Sequence, residues 1–469
     1  METKDYMEKL FYPKSIAMIG ASSKRIWQIT GITGRKYEGT LYLVSENDDE
    51  ILGIKCFRDI SELPEYIDHA IIAVNRKKLV ETIEKCIEKK VQTLHIFTAG
   101  ASEYDKEGIK IEREVYDLIK SSEVRAIGPN CMGIYSPEGR YSYNPAFSEK
   151  AGSIALVSQS GDLTSQFVRK ENFYGVYFSK AVSLGNSIDL TISDFVDYFS
   201  SDDKTEMITV YFEGFPHFDE TEGKRLWNVL RKTKKPLLIL RGGVSDRGKI
   251  AAASHTGTIA TDDRIWESIY KQTSALKVNT YEELIDSTMA FYYCKELLPK
   301  MKSIVLVTWS GGFAVLSTDR IVELGVDVPE IASTTQEQMR NMISIGSVRN
   351  PLDLPWISRR EKYPKICNLA INESYIGGII LETGTWDRLD ERFNIYFNNL
   401  MNVFENTKRQ GKPFLISLPY SHNFKQREKF KNRLLARGIP VFPSILRAAK
   451  AFLNLFKFYE QAKQFNLND

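Results

Sequence analysis

Cysteine is scarce in this chain of 469 residues, and the little there is has no pattern. Cys56, Cys86, Cys131, Cys294 and Cys367 are odd in number, widely scattered and without a C-x-x-C pair. That argues against a disulfide framework and a paired-cysteine zinc site, and predicts no metal centre and a reducing, cytoplasmic setting. Long apolar runs are lacking too: none approaches the roughly 18 residues of a membrane span, and METKDYMEKL has no apolar signal core. No membrane is expected as a partner. Charge of one sign is not in excess either, with 63 Lys and Arg against 60 Asp and Glu for a net +3, so no nucleic-acid partner is expected. Low-complexity tracts, coiled-coil heptads and short repeats are absent. What remains, 43% hydrophobic and 26% charged, is an ordinary globular composition. The length suggests roughly three domains of about 150 residues.

Short apolar runs alternate with amphipathic stretches along most of the chain, the pattern of an α/β protein with parallel sheets covered by helices. Over about residues 10–132 the strands read SIAMIG, GTLYLVS, HAIIAVN, TLHIFTA and VRAIGPN, a Rossmann-like series. YSPEGRYSYNPAFSEKAG, rich in turn formers, reads as a connector. A second block follows with SIALVS, VYFSKAVS, MITVYFE and PLLILRGG, and a third with SIVLVTW, YIGGIILE, KPFLISLP and IPVFPS.

Ligands of open parallel sheets bind beyond the carboxyl ends of the strands, so those ends are searched for chemistry. IGASSKR offers Gly20, Ser22 and Ser23, either as a phosphate loop or as a tight turn; the full G-x-G-x-x-G fingerprint is missing. IALVSQSGDL runs a strand into Ser158, Gln159, Ser160 and Gly161, with Asp162 opening a helix. Hydroxyls, amides and the helix dipole would form an anion or acyl site there, unless Ser160 serves only as an N-cap. Glu213 ends a very apolar strand, where it either orients an imidazole or caps a neighbouring helix. AAASHTGTIATDD places His255 among small residues that leave room around its ring, with the hydroxyls of Ser254 and Thr256 close by; a structural histidine is the alternative. His69, His95, His217 and His422 have no such surroundings and read as ordinary. A histidine with a helper glutamate and no neighbouring Ser or Cys nucleophile suits a covalent phosphoryl carrier better than a hydrolase.

These stretches, taken with YPKSIAMIGASS, AIGPNCMGIY, VSLGNSIDL and TWSGGFAVLSTDRI, resemble the α subunit of ADP-forming (NDP-forming) acyl-CoA synthetases of the succinyl-CoA synthetase superfamily. The resemblance covers residues 10 to about 355 in family order. It implies a Rossmann-like CoA-binding domain over 1–135, a flavodoxin-like ligase domain carrying a phosphohistidine over 148–297, and a second flavodoxin-like domain over 300–469. On this resemblance His255 is the phosphorylated histidine and Glu213 steadies it. Ser158, Gln159, Ser160 and Gly161 hold phosphate, with the acyl pocket near Gly185 and Asn186. CoA lies along Gly20, Ala21, Ser22, Ser23, Val74, Asn75, Thr98, Ala99, Gly128, Pro129 and Asn130. The implied reaction interconverts acyl-CoA, ADP and phosphate with carboxylate, CoA and ATP, through an acyl phosphate and phosphohistidine, with Mg²⁺ on the nucleotide. The family's ATP-grasp domain has no counterpart in this sequence, which implies a separate ATP-grasp β subunit and an α₂β₂ assembly.

The departures cluster in the first block. LYLVSENDDE carries Glu46, Asp48 and Asp49 where the family has an Asn-Pro pair and a lysine, so repulsion of the CoA 3′-phosphate is expected, with Arg76, Lys77 or Lys78 restoring positive charge. An acid at that strand end also suits a ribose hydroxyl, which keeps an NAD-linked oxidoreductase in view. A non-catalytic paralogue acting as sensor or scaffold is the other alternative.

Overall fold

The computed structural model describes residues 3–256, 262–355, 357–358, 360–384, 386 and 388–465; for residues 3 and 253–256 only the backbone is described. The expected side-chain environment of Ser254, His255 and Thr256 therefore lies outside the described residues. By contacts the chain forms two compact units, Met1–Asn279 and Thr280–Asp469.

The first unit holds two sheets. In the first, the strands lie in the order Glu50–Ile51, Ile54–Phe57, Thr40–Val44, Ser15–Ile19, His69–Ile72, Thr93–Ile96 and Arg125–Ile127. All are parallel except the terminal hairpin strand Glu50–Ile51. The central strands are apolar on both faces because helices cover both, among them Leu79–Glu88 and Lys106–Lys120. Asp105 caps the second of these through the Gly108 amide at 2.7 Å, worth about 1 kcal/mol.

The second sheet runs Ala275–Val278, Leu237–Arg241, Met207–Phe212, Ile154–Ser158, Phe178–Ser183, Gly133–Ser136, Tyr141–Ser142. Its first five strands are parallel, in the flavodoxin order 2-1-3-4-5. The last two add as an antiparallel hairpin. The segment read as a connector thus builds a sheet edge. Its strands of four and two residues, around a Pro-Glu-Gly-Arg turn, are too short to show alternation, yet Tyr135 and Tyr141 are fully buried. One continuous apolar core joins both sheets: Phe11 of helix Thr3–Phe11 stacks on Tyr198 at 5.7 Å and meets Phe195 and Phe199.

The second unit has one parallel sheet, Leu352–Asp353, Ile304–Thr308, Gly378–Glu382, Phe414–Ser417, Val441–Phe442, again in order 2-1-3-4-5. Helices Tyr281–Cys294 and Ile445–Gln464 pack together beside it, tied by Arg447 to Asp286 at 2.8 Å and Asn454 to Ser287 at 2.9 Å. No described helix is long and apolar enough to cross a membrane.

Candidate functional site

The carboxyl ends of the first sheet open into two adjoining clefts of about 310 and 520 Å³. Gly20, Ala21 and Ser22 line the first, Thr98 and Ala99 the second, and Val74 and Asn75 both. Gly20 has φ +83°, and a Cβ there would stand 2.7 Å from the Ala73 carbonyl oxygen, so only glycine lets these two strand ends close up. The loop is not, however, a cradle of free amides. The Gly20 and Ala21 N–H groups both donate to the Val44 carbonyl, at 3.0 and 2.9 Å. Ser23 gives its amide and hydroxyl to the Asp48 carboxylate, at 3.1 and 2.8 Å. The next helix begins only at Trp27. Asp48 has thereby taken one of the two serines expected to meet phosphate; Ser22 Oγ only accepts, from the Lys24 amide at 3.2 Å.

The other departing acids are likewise engaged. Glu46 pairs with Lys78 and Asp49 with Arg58. Arg58 also donates to the carbonyls of Ser45, Glu46 and Asp48, at 3.2, 3.1 and 3.2 Å. Hydrogen bonds from the Ser23 amide and hydroxyl hold Asp48 below the usual carboxylate range, and the Lys85 ammonium brings Asp59 down to about 2. Arg76 grips both oxygens of Asp105, at 3.0 and 2.9 Å. Of the three cations expected to restore positive charge, Lys77 alone has no acidic partner among the described residues, and it lines the second cleft. Arg25 faces both clefts, held by the Ala73 carbonyl at 3.1 Å.

Gly128, Pro129 and Asn130 lie deeper, where the two sheets of this unit meet. The Asn130 amide donates to Thr98 at 3.0 Å, the Asn186 amide to Pro129 at 3.0 Å and the Ile188 amide to Gly128 at 3.1 Å. Gly185 has φ +56°, and a Cβ on it would reach 2.2 Å from the Pro129 oxygen and 2.4 Å from that of Asn130. The Asn186 side chain is taken up by two carboxylates. Its Nδ2 donates to Glu112 at 2.7 Å and to Glu103 at 2.8 Å. Glu103 in turn accepts from the amides of Gly100 and Ala101, at 2.7 and 3.1 Å, which ties the cleft loop to the second sheet. Burial pushes the Glu112 carboxyl up.

At the carboxyl end of the second sheet the serine turn and Glu213 come together. Ser158 Oγ donates to the Ser160 carbonyl at 2.9 Å and accepts from the Ser160 amide at 3.1 Å, which closes the turn. Ser160 caps helix Gly161–Phe173 through the Leu163 amide at 3.4 Å. The cap is real, and the helix's first amides still lack intrahelical acceptors and carry its positive dipole end. At Gly161 a Cβ would fall 2.3 Å from Met132 Cγ, so any larger residue would displace that side chain. Gln159 does not face this helix end. Its Oε1 accepts from the amides of Glu213 and Gly214, at 2.6 and 3.2 Å, and its Nε2 donates to the Gly214 carbonyl at 2.8 Å.

Tyr211, two residues before Glu213 and so on the same face of the strand, hydrogen-bonds its carboxylate. Burial, the Glu213 charge and that bond all push the phenol up. A Cβ on Gly242 would stand 2.8 Å from the Tyr211 hydroxyl and 3.4 Å from Glu213 Cγ. On Gly243 it would stand 3.2 Å from Ala252 Cβ and 3.7 Å from the Glu213 carbonyl oxygen. Gly243 therefore lets helix Asp246–Thr256, which carries His255 in its last turn, come close to the main chain at Glu213. Tyr211 and Met132 were not singled out from the sequence. The i, i+2 spacing of Tyr211 and Glu213 was a usable signal; nothing local marks Met132.

A family model described as a CoA binding domain matches residues 14–137, and one described as a succinyl-CoA ligase like flavodoxin domain matches residues 151–291. The chain is 33% identical to the 4-hydroxybutyrate–CoA ligase [ADP-forming] of Nitrosopumilus maritimus over 87% of its own length, and spans 58% of that protein. It is 32% identical to the acetate–CoA ligase [ADP-forming] II subunit alpha of Pyrococcus furiosus, over 80% of this chain and 81% of the relative. In fold it is similar to the dinucleotide forming acetyl-coenzyme A synthetase 1 of Ca. Korarchaeum cryptofilum, with a TM-score of 0.83 over 98% of both chains at 24% identity.

Proposed function

The chain belongs to the family of ADP-forming acyl-CoA ligases, and we propose that it works as the α subunit of one. The observation that carries this reading is the meeting of the Ser158–Gly161 turn, Glu213 and the helix that bears His255 at one end of the ligase sheet. CoA lies along the paired clefts of the first sheet, past Gly20–Ser22, Val74, Asn75, Thr98 and Ala99, where Arg25 and Lys77 offer positive charge to its phosphates. Phosphate sits at the start of helix Gly161–Phe173, stabilised by the amides and the dipole. It attacks the acyl carbon of the thioester, which releases CoA and leaves an acyl phosphate. The imidazole of His255 takes the phosphoryl group and frees the carboxylate. Glu213 holds the other ring nitrogen, fixes the tautomer and balances the charge that develops on the ring.

Transfer to ADP takes place on an ATP-grasp β subunit, with Mg²⁺ on the nucleotide; relatives carrying the name subunit alpha support a partner of this kind. An α₂β₂ assembly in the cytoplasm completes the reading, and the five free, buried cysteines accord with a reducing compartment.

The test is phosphorylation. The chain, co-expressed with an ATP-grasp subunit and incubated with Mg²⁺ and γ-labelled ATP, is expected to gain acid-labile, alkali-stable label that is lost in His255→Ala. No label on a folded wild-type pair refutes the catalytic reading in favour of a sensor or scaffold.

A further inference from the structure

Gln159 sits inside the serine turn, yet its side chain has nothing to do with the start of the helix. The residue is 3% exposed, and three hydrogen bonds fasten its amide to the peptide units of Glu213 and Gly214. Its own N–H donates to the Tyr211 carbonyl at 3.2 Å, so main chain and side chain grip the same neighbouring strand end. We propose that Gln159 is a positioning residue, fixing the main chain at Glu213 in register with the helix that receives phosphate, and that it does not bind the anion itself.

The second unit supplies an internal control. There the strand Ile304–Thr308 runs into Trp309, Ser310 and Gly311 as Ile154–Ser158 runs into Gln159, Ser160 and Gly161. The hydroxyl of Thr308 donates to the Ser310 carbonyl at 3.3 Å, as Ser158 does to Ser160 at 2.9 Å. The Leu354 amide donates to the Thr308 carbonyl at 3.0 Å, as Leu184 does to Ser158 at 2.8 Å. A similar turn therefore forms with tryptophan in the second position, although Ser310 makes no side-chain cap. Glutamine is not needed to build it. What distinguishes the first copy is where the glutamate stands: the third strand of the second unit ends in Glu382, in register with Tyr211, and continues into Thr383 and Gly384, so that glycine takes the place of Glu213. The glutamine accompanies Glu213.

This inference rests on the phosphohistidine reading, and the two are separable by experiment. The α chain with its ATP-grasp partner is assayed with whichever of acetyl-, propionyl- or 4-hydroxybutyryl-CoA the wild type uses best. One readout is ATP formation, which needs the imidazole. The other is arsenate-dependent release of CoA, which needs only the anion site, because the acyl arsenate hydrolyses in water to carboxylate and arsenate. Gln159→Met, which keeps the volume and removes the three bonds, is expected to lower kcat for ATP formation by about 100-fold. Arsenolysis and the KM for phosphate are expected to stay within about twofold, which also shows that the variant is folded. Glu213→Gln should behave in the same way, and the double variant should be no worse than the poorer single one. Parallel loss of arsenolysis or a raised KM for phosphate overturns the proposal, since Gln159 would then be an anion ligand; so does multiplication of the two losses in the double variant. A wild-type pair that performs arsenolysis without forming ATP overturns the phosphohistidine reading, and the inference with it, before any substitution is made.

Discussion

Replacing Asn186 with leucine should loosen the cleft loop of the first sheet without touching it. The amide nitrogen is shared by two carboxylates, Glu112 at 2.7 Å and Glu103 at 2.8 Å. Glu103 holds the amides of Gly100 and Ala101, and Glu112 that of Ser102 at 3.4 Å. Leucine is close in volume and offers no donor. Hydrogen bonds to charged groups are worth about 1.5–3 kcal/mol each, but Asn186 Oδ1 is buried without an acceptor's partner, and its removal offsets part of the loss. The net cost is about 1–3 kcal/mol, or roughly 5- to 150-fold in the opening equilibrium of the loop. Hydrogen exchange of peptides covering residues 98–104 reads that equilibrium directly. The cost should also depend on pH. Burial already raises Glu112, so the stability it contributes is full below its unfolded value and is lost as pH rises through its folded value. Without the Asn186 donor the folded value climbs further, so the excess exchange in the variant should grow as pH rises from the ordinary carboxyl range, after correction for intrinsic rates. Unchanged exchange at 98–104, or an excess that grows towards acid pH, refutes this account of the junction.

Three further outcomes are expected. Gly185→Ala imposes a left-handed φ on a side chain, about 1–2 kcal/mol, and drives Cβ against the Pro129 and Asn130 oxygens, about 1–3 kcal/mol more. Gly53→Ala, with φ +79° and nothing within 4 Å, is the matched control, and equal losses in denaturant unfolding would contradict the crowding argument. Burial lowers His95 to about 4, and His69 in the same direction, so between that value and their ordinary 6.5 the unfolded chain binds more protons and stability rises with pH. For His95 the effect is on the order of 3 kcal/mol, and a fall in stability from pH 7 to 4.5 as steep in His95→Gln as in wild type would disprove it. Glu46→Gln removes a charge from the first cleft and frees Lys78, so calorimetry at low salt should show CoA binding tightened roughly 2- to 5-fold, an advantage that fades as salt rises. Weaker binding would mean that Glu46 itself contacts the ligand.

The sheets were legible because each central strand is buried on both faces and so reads as an uninterrupted apolar run. SIAMI and IALVS are examples, with a small or polar residue at the carboxyl end where ligands gather. What lacked that signal was lost. Ala275–Val278 includes the exposed Lys277, Leu352–Asp353 is two residues long, and the hairpin 133–142 hides among turn formers. The histidines sorted themselves by neighbours. His69 and His95 sit in HAII and TLHI and are core residues, bonded to Thr93 and Tyr141 and to the Cys131 carbonyl.

The serine turn shows where reading from residue types stops. Serine, glutamine and glycine at a strand-to-helix junction all look like anion ligands, because each can donate a hydrogen bond. The structure divides them by what they already hold: Ser158 has given its proton to close the turn and Gln159 is spent on the next strand, whereas Ser160 only accepts in the cap. The amides at the start of the helix, without intrahelical acceptors, and the Ser160 hydroxyl proton remain for an anion. The same logic governs the first sheet, where Val44 and Asp48 occupy three amides and one hydroxyl of the expected phosphate loop. In that cleft the amide and hydroxyl proton of Ser22 remain, and the side-chain cations Arg25 and Lys77 join them. Affinity there should therefore depend on salt more steeply than a loop of amides would require, and the Glu46→Gln titration reads that dependence directly.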